Sequence, residues 1–385
     1  MEGLRDTRRA LRHGAPARAA HLVVLLALVA VLLAIAAAPA SARPESTRTI
    51  KLRLLASYQQ AFGSPPQLIV LGSSRSMRID PEFLRTLLGV NGFNAGVGSG
   101  TPPDALAFLR VARATYPTQP MAVLYMLDVE NMRLTGFSRF FESVPQLVAS
   151  LPSDAPGLGA YAGATTTATT TASSVRTYSS YAEARSSGAS LLQAAYSLYP
   201  AYSDEHSHWA SNGYLIWCIY DYERARGVTA DSRLTFQLRR YRKVYPSDQP
   251  GGMSQESRWY VREVVKEANE MGVTPVIALT PYHPKLLAML KTRGWDYVHR
   301  RILAYLNGLG AEYKLRVLDF TSVKSFGGWG GGFYDGVHSR PAQMQRLLRS
   351  VAEQAGSELT VGVPTPTATP TPTDPPSAPP ETETR

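Results

Sequence analysis

Apolar residues along this chain come in short unbroken runs, and amphipathic stretches separate them. Residues 67–71 (Gln-Leu-Ile-Val-Leu) form the first run, closed by Gly72, and predict a strand buried on both faces. Asp80-Pro81 then signals a helix start, with Asp80 as cap and Pro81 in the first turn. A weaker strand is predicted over 92–96, ending in a Gly-rich turn. Pro102-Pro103-Asp104 opens a helix that turns Leu106, Leu109, Val111 and Ala112 inward. Residues 121–127 predict the next strand. An amphipathic helix over 256–271 stops at Gly272, and a strand over 274–279 is ended by Pro281. A helix over 285–309, interrupted at Gly294, a strand over 315–320 and a helix over 341–355 complete the pattern. Strands alternating with helices, the strands buried on both faces, predict an α/β fold with a mostly parallel sheet and right-handed crossovers.

One stretch, 135–255, breaks the alternation. Its 164–187 part is rich in Ala, Ser and Thr with little apolar periodicity, which predicts a surface excursion. The aromatic-rich part at 196–222 is expected to fold over the sheet as a cap. There is no internal repeat.

Both ends read differently from this body. Residues 22–38 are an uninterrupted run of Leu, Val, Ile and Ala behind five arginines, and Ala40-Ser41-Ala42 follows. That pattern predicts either a cleaved signal peptide or a retained N-terminal membrane anchor over 1–42, with everything after Ala42 exported. Residues 361–385 hold eight prolines and seven threonines, which predicts an extended, solvated tail. The organisation expected is thus 1–42 for targeting, 43–360 for the folded body with its insertion at about 135–255, and 361–385 for the tail.

Charge adds one constraint. The chain of 385 residues carries a formal +10, and the body alone keeps 34 basic against 25 acidic residues. A basic exported body suits lipid headgroups or acidic polymers, and export makes nucleic acid the least suitable partner. A single cysteine, Cys218, excludes an intramolecular disulfide framework and Cys-rich zinc sites, and reads as a small buried apolar residue.

In open parallel sheets the chemistry gathers at the carboxyl ends of the strands. After the first strand stands Gly72-Ser73-Ser74-Arg75-Ser76, and after the second Asn94-Ala95-Gly96. Asp128-Val129-Glu130-Asn131 follows the third and Thr280, Tyr282 and His283 the fourth. A Gly-rich loop beyond the fifth leads to Asp335-Gly336-Val337-His338. This order resembles the SGNH/GDSL hydrolase family. Leu71-Gly72-Ser73-Ser74 is similar to its first block, with Ser73 where the family usually has Asp. Asn94-x-Gly96 is similar to the second block and Asp335-x-x-His338 to the last. The third block, Gly-x-Asn-Asp, is not matched, so Asn131 is a candidate by position only. The resemblance covers about 67–353 and is nearest the divergent exported branch that includes alginate O-acetylation proteins and the D-alanine transfer protein of teichoic acid. It implies a three-layer α/β/α sandwich with a five-stranded, flavodoxin-like sheet. It also implies a catalytic triad of Ser74, Asp335 and His338, an oxyanion hole from Ser74, Gly96 and Asn131, and no metal or cofactor.

The chemistry of these residue types fits that assignment. A serine hydroxyl attacks an ester only when a base takes its proton, and a neutral His does so near pH 7. A carboxylate behind the His holds its tautomer. Ser74 is expected in a tight turn at a helix N-terminus, where backbone N–H groups favour a developing oxyanion. Other readings stand beside these. Arg75 is either a clamp for a substrate anion or a plain surface arginine. His283, between Pro281 and Pro284, reads as part of a structural turn. Asp204, His206 and His208 read as solvated rather than metal-binding, and the 196–222 aromatics as packing rather than sugar contacts. The expected activity is ester hydrolysis or O-acyl transfer on an acylated small molecule or polysaccharide; the alternative is a catalytically inactive scaffold or glycan-binding subunit.

Overall fold

The structure, a computed structural model, describes residues 46–133, 144–158, 208–217, 220, 223–224, 226–245 and 252–360. The apolar run at 22–38, the stretch at 164–187, Asp204, His206, Cys218 and the Pro/Thr-rich tail lie outside these residues. Among the described residues no helix is long and apolar enough to cross a membrane.

The described strands are β1 (Leu68–Gly72), β2 (Gly92–Asn94), β3 (Ala122–Leu127), β4 (His208–Trp209), β5 (Leu215–Trp217), β6 (Val276–Leu279) and β7 (Arg316–Asp319). Five of them build one parallel sheet in the order β2-β1-β3-β6-β7, while β4 and β5 pair as a small antiparallel hairpin. The register sets Val70 beside Leu124, Tyr125 beside Ile277, and Leu279 beside Asp319. The order reverses between β1 and β3, which opens a crevice above the carboxyl ends of these two strands.

The described α-helices used below are α1 (Thr47–Ala56), α2 (Tyr58–Phe62), α3 (Pro81–Leu88), α4 (Pro102–Thr115), α5 (Pro145–Ser150), α6 (Ala230–Val244), α7 (Gln255–Glu270), α8 (Pro284–Lys291), α9 (Trp295–Glu312) and α10 (Pro341–Leu359). Their starts follow local chemistry. Asp80 accepts the Glu82 N–H ahead of α3, and Ser254 accepts the Ser257 N–H ahead of α7. Gly294, at φ +80°, breaks the expected helix over 285–309 into α8 and α9.

The period-two alternation of the strands sorts the core into two layers. Ile69, Leu71, Val123, Tyr125, Leu127, Ile277 and Leu279 pack with the inner faces of α1, α4, α7 and α9. Leu68, Val70, Leu124, Met126, Val276 and Ala278 pack on the other side with α3 and α10. The result is the expected three-layer α/β/α sandwich.

Helices α1, α2, α5 and α6 have no counterpart in the sequence reading, and α1 and α6 are the longest of them. No element was expected over 47–56. The face of α1 that packs on the sheet carries Arg48 and Lys51, both buried, so its apolar period is interrupted. Helix α6 lies inside the 135–255 stretch, beyond its 164–187 part, where no helix was predicted, and it buries Leu234, Gln237 and Tyr241.

Candidate active site

Strand β1 ends at Gly72, whose φ is +149°. A Cβ there would lie 2.7 Å from Ser76 Oγ and 2.8 Å from Met126 O, so only glycine lets the chain turn away from β3 at this point. The following turn is closed by Ser76 N–H to Ser73 O (3.0 Å) and Ile79 N–H to Ser76 O (2.8 Å). Asn94, at the end of β2, braces it by donating to Ser76 O (2.9 Å) and Ile79 O (2.7 Å). Ser74 therefore sits in a tight turn as expected, but not at a helix N-terminus. The Asp80-Pro81 start signal places α3 several residues later.

The three serines of this turn have separate fates. Ser73 is buried and donates to Asp128 Oδ2 at 2.6 Å. Ser76 is buried and donates to Ser73 O at 2.7 Å. Ser74 alone is partly exposed, and its Oγ lies 2.9 Å from His338 Nε2.

His338 comes from a narrow loop after β7, closed by the Phe333–Ser339 bridge and by Tyr334 N–H to His338 O at 2.8 Å. Asp335, in the same loop, is buried. Its Oδ1 accepts the N–H groups of Val337 (2.8 Å) and His338 (2.9 Å). Its Oδ2 lies 2.8 Å from His338 Nδ1 and accepts from Gln237 Nε2 at 2.9 Å. Burial opposes the charge of Asp335, but the His338 imidazole, its hydrogen bond and the two N–H groups outweigh it. They hold the carboxyl well below the usual carboxylate range. The stability this group contributes is full above the ordinary carboxylate range and is lost as pH falls through the depressed value.

An ionised Asp335 fixes the tautomer of His338. Nδ1 carries the proton toward the carboxylate, and Nε2 presents its lone pair to the Ser74 hydroxyl. The Tyr220 hydroxyl approaches the same Nδ1 at 2.9 Å, while its ring leans on the imidazole at 4.9 Å and stacks on Tyr334 at 5.5 Å. Ser74 and His338 open into a cleft walled by Met77, Leu215, Tyr220 and Tyr334.

Other expected site residues lie elsewhere. The Gly96 N–H donates to Asn94 Oδ1 at 2.9 Å, and the Asn131 side chain donates to Gly100 O at 2.8 Å. Both donors are held by the protein itself, and neither residue is among those lining the cleft. The Ser74 N–H, in contrast, has no acceptor among the described residues. Arg75 is neither an exposed arginine nor an open anion clamp. It is 6% exposed and bonds Glu130 (2.8 Å), Thr280 (3.0 Å) and Tyr241 (2.5 Å), with Asp128 at 3.5 Å. This buried network fills the crevice between the ends of β1, β3 and β6. It also supplies, through Asp128, a carboxylate beside position 73, where the resemblance expects the acid to stand. His283 caps α8 by accepting the Lys285 N–H, as its structural reading expects. Among the described residues no group of three or more acidic, His or Cys side chains could hold a metal ion.

The cap expected over 196–222 is described only in part. Its β4–β5 hairpin docks on the end of β2 through Asn94 N–H to Asn212 O (2.8 Å) and on the turn bearing Ser74 through Leu215 N–H to Met77 O (3.0 Å). Gly213, at φ +79°, lies so close to Asn94 O that a Cβ would strike it. Lys51 ties the two segments by donating to Asn94 O (2.5 Å) and to Gly213 O, with Trp209 4.5 Å beneath its ammonium. Its complete burial lowers the lysine pKa well below the usual value.

Gln237 is the clearest candidate-site residue that the sequence reading missed. Leu234, Gln237 and Tyr241 fall on one helical face, and that spacing was the available signal. Gln237 orients the carboxylate that orients His338. Replacing Gln237 by Leu is expected to lower kcat about tenfold with KM unchanged, because one of the hydrogen bonds that aim Asp335 is lost. Gln237→Glu should be worse, since it sets a second carboxylate against Asp335 in a dry site. Steady-state kinetics on a small ester checks both.

No family model, no curated protein and no solved structure matches this chain.

Proposed function

We propose that this protein is a serine esterase or O-acyltransferase of SGNH type. The observation that carries the reading is the continuous hydrogen-bonded line from Ser74 Oγ through His338 to Asp335, at 2.9 and 2.8 Å. In this reading Ser74 Oγ attacks the ester carbonyl as its proton passes to His338 Nε2. His338 then returns that proton to the departing alcohol oxygen, and the acyl group stays on Ser74. In the second half, an acceptor hydroxyl attacks the acyl-enzyme, His338 takes its proton, and the Ser74 oxygen leaves and recovers it. Water as acceptor gives hydrolysis, and a sugar hydroxyl gives acyl transfer. The Ser74 N–H, which has no acceptor among the described residues, is a donor for the tetrahedral oxyanion.

The apolar run and the Pro/Thr-rich tail of the sequence, with the basic body between them, support an extracytoplasmic protein, secreted or anchored through residues 22–38. An acylated cell-envelope or extracellular polysaccharide is the substrate that suits this setting, and nucleic acid does not.

A fluorophosphonate probe tests the reading. It phosphonylates a serine only when a base activates the hydroxyl. We expect an adduct on the Ser74-containing peptide, absent in Ser74→Ala and in His338→Ala. One observation favours a second reading, a non-catalytic scaffold or glycan-binding subunit: the Gly96 and Asn131 donors are bound within the protein. Folded protein that takes up no probe would establish that reading and exclude the first.

A further inference from the structure

Helix α6 has an outer side that the candidate site does not use. Between Asp231 and Asp248 the chain carries Arg233, Arg239, Arg240, Arg242 and Lys243, and no acid. Arg233 pairs with Glu223. The other four cations are exposed and crowd into little more than one turn of the helix. None of the four makes an ion pair or a side-chain hydrogen bond among the described residues. Two further guanidinium groups close the end of the helix. Arg133 donates to Val244 O (2.9 Å), and Arg293 donates to Tyr245 O and to Arg242 O (3.3 Å). The acids around this end are few: Asp231 stands in the first turn of α6, and Asp296 of α9 pairs with Lys291 at 3.7 Å. Arg239 and Lys243 are four positions apart, and Arg239 and Arg242 three, spacings at which like charges destabilise a helix. A partner carrying several negative charges would offset that repulsion.

The chemistry of the partner follows from two features. Three of the four exposed cations are arginines, whose planar forks meet a carboxylate or phosphate through paired hydrogen bonds. The helix keeps its apolar side for the protein: Leu234, Leu238 and Tyr241 pack into the core, and Phe236 is the large apolar side chain it exposes. A helix that binds a bilayer lowers an apolar face into it, and α6 has none to offer. Anionic groups strung along a polar chain require no such face. We infer that the outer side of α6, from Arg239 to Lys243, is a binding surface for an anionic polysaccharide bearing carboxylate or phosphate groups. The opposite side of the same helix carries Gln237, bonded to Asp335 at 2.9 Å, and Arg233 lies 4.5 Å over the Tyr220 ring. Arg233 and Lys243 are about 15 Å apart along the helix. The polymer is thus held on the helix that braces Asp335. The inference stands apart from the esterase reading, since an enzyme and a glycan-binding subunit would use the surface alike.

The test is equilibrium binding of the full-length protein, kept in a non-ionic detergent, to polygalacturonate and to poly(glycerol phosphate), with neutral dextran beside them. Binding to at least one polyanion is expected at about 50 mM salt and should be lost at about 1 M, with none to dextran. The polyanion that binds names the charged group. The variant with Arg239, Arg240, Arg242 and Lys243 all replaced by Gln should bind at least about tenfold more weakly. A control with Lys314, Arg316, Lys324 and Arg349 replaced by Gln, exposed cations around β7 and on α10, should change by less than about twofold. Circular-dichroism melting checks that both variants fold. If the first does not, the double variant Arg239→Gln/Lys243→Gln takes its place, with a loss of about threefold expected. No binding of either polyanion by the wild type would overturn the inference. Equal losses in the α6 variant and the control would also overturn it, by assigning the binding to the general charge of the body. Phosphatidylglycerol vesicles whose binding falls in the α6 variant, with polymer binding unchanged, would overturn it in favour of a membrane surface.

Discussion

Ser74→Ala is expected to lower ester turnover by at least about 10⁴-fold while leaving the fold intact. The size of the effect follows from the route of the reaction. Without the Ser74 oxygen no acyl-enzyme forms, and what remains is the polarising effect of nearby N–H groups on a bound ester. The intact fold follows from the surroundings of the side chain. Ser74 is the partly exposed member of its turn, and its hydroxyl bonds His338, whereas Ser73 and Ser76 hold the turn together. His338→Ala should fall by a similar factor, and the double variant should be little worse than either, because groups that act as one unit are not additive. Turnover of p-nitrophenyl acetate beside circular-dichroism melting measures both sides. A Ser74→Ala protein that melts as wild type but keeps its activity would move the nucleophile elsewhere.

Arg75→Met should destabilise the protein by about 3–5 kcal/mol, the effect of removing one partner from a buried ion pair. Arg75 faces two buried carboxylates, Asp128 and Glu130. Asp128 also holds Ser73 and Thr280, and Glu130 also holds Tyr282. Deleting the guanidinium leaves both acids dry beside a thioether. Arg75→Lys should recover only part of the loss, since a point charge cannot address Glu130, Tyr241 and Thr280 from one planar fork. Urea titration gives the free energies. A midpoint equal to wild type in Arg75→Met would mean that the network does not carry the turn. Because Ser73 and Arg75 flank Ser74, the same variant should also lose activity.

The sequence discloses this fold where burial is apolar and hides it where burial is polar. Strands such as β1 and β3 are read almost to the residue, because both faces are aliphatic and glycine or acidic residues close them. Helices α3, α7 and α10 are announced by their caps or by an early proline. Helix α1 stays hidden because its inner face carries Arg48, clasped by Asp104 at 2.6 Å, and Lys51, held by two carbonyls. A buried cation is indistinguishable in sequence from a solvated one. The candidate site divides in the same way. Ser74, Asp335 and His338 are visible because each follows a strand or a Gly-rich loop in a fixed order. Gln237 and Tyr220 are not, since their roles depend on how the 135–255 stretch folds back. Asn94 and Asp128 mark a subtler limit. Their side chains are polar residues at strand ends, as expected of ligands, but they bind the protein's own turn.

Ser74 and His338, the nucleophile and base of the proposed reading, are 264 positions apart. During synthesis the turn bearing Ser74 leaves the ribosome with β1, long before the loop bearing His338 exists. Until that loop reaches β1, Ser74 has no imidazole within hydrogen-bond distance, and on the proposed reading it is an ordinary alcohol that cannot trap an acyl group from its surroundings. The β1-to-loop contact is also among the most distant in sequence that the fold contains, so closing it comes late and slowly. On the proposed reading, activity is thereby a report on completed folding: a chain cut short before position 338 lacks both the imidazole and α10, and is chemically silent.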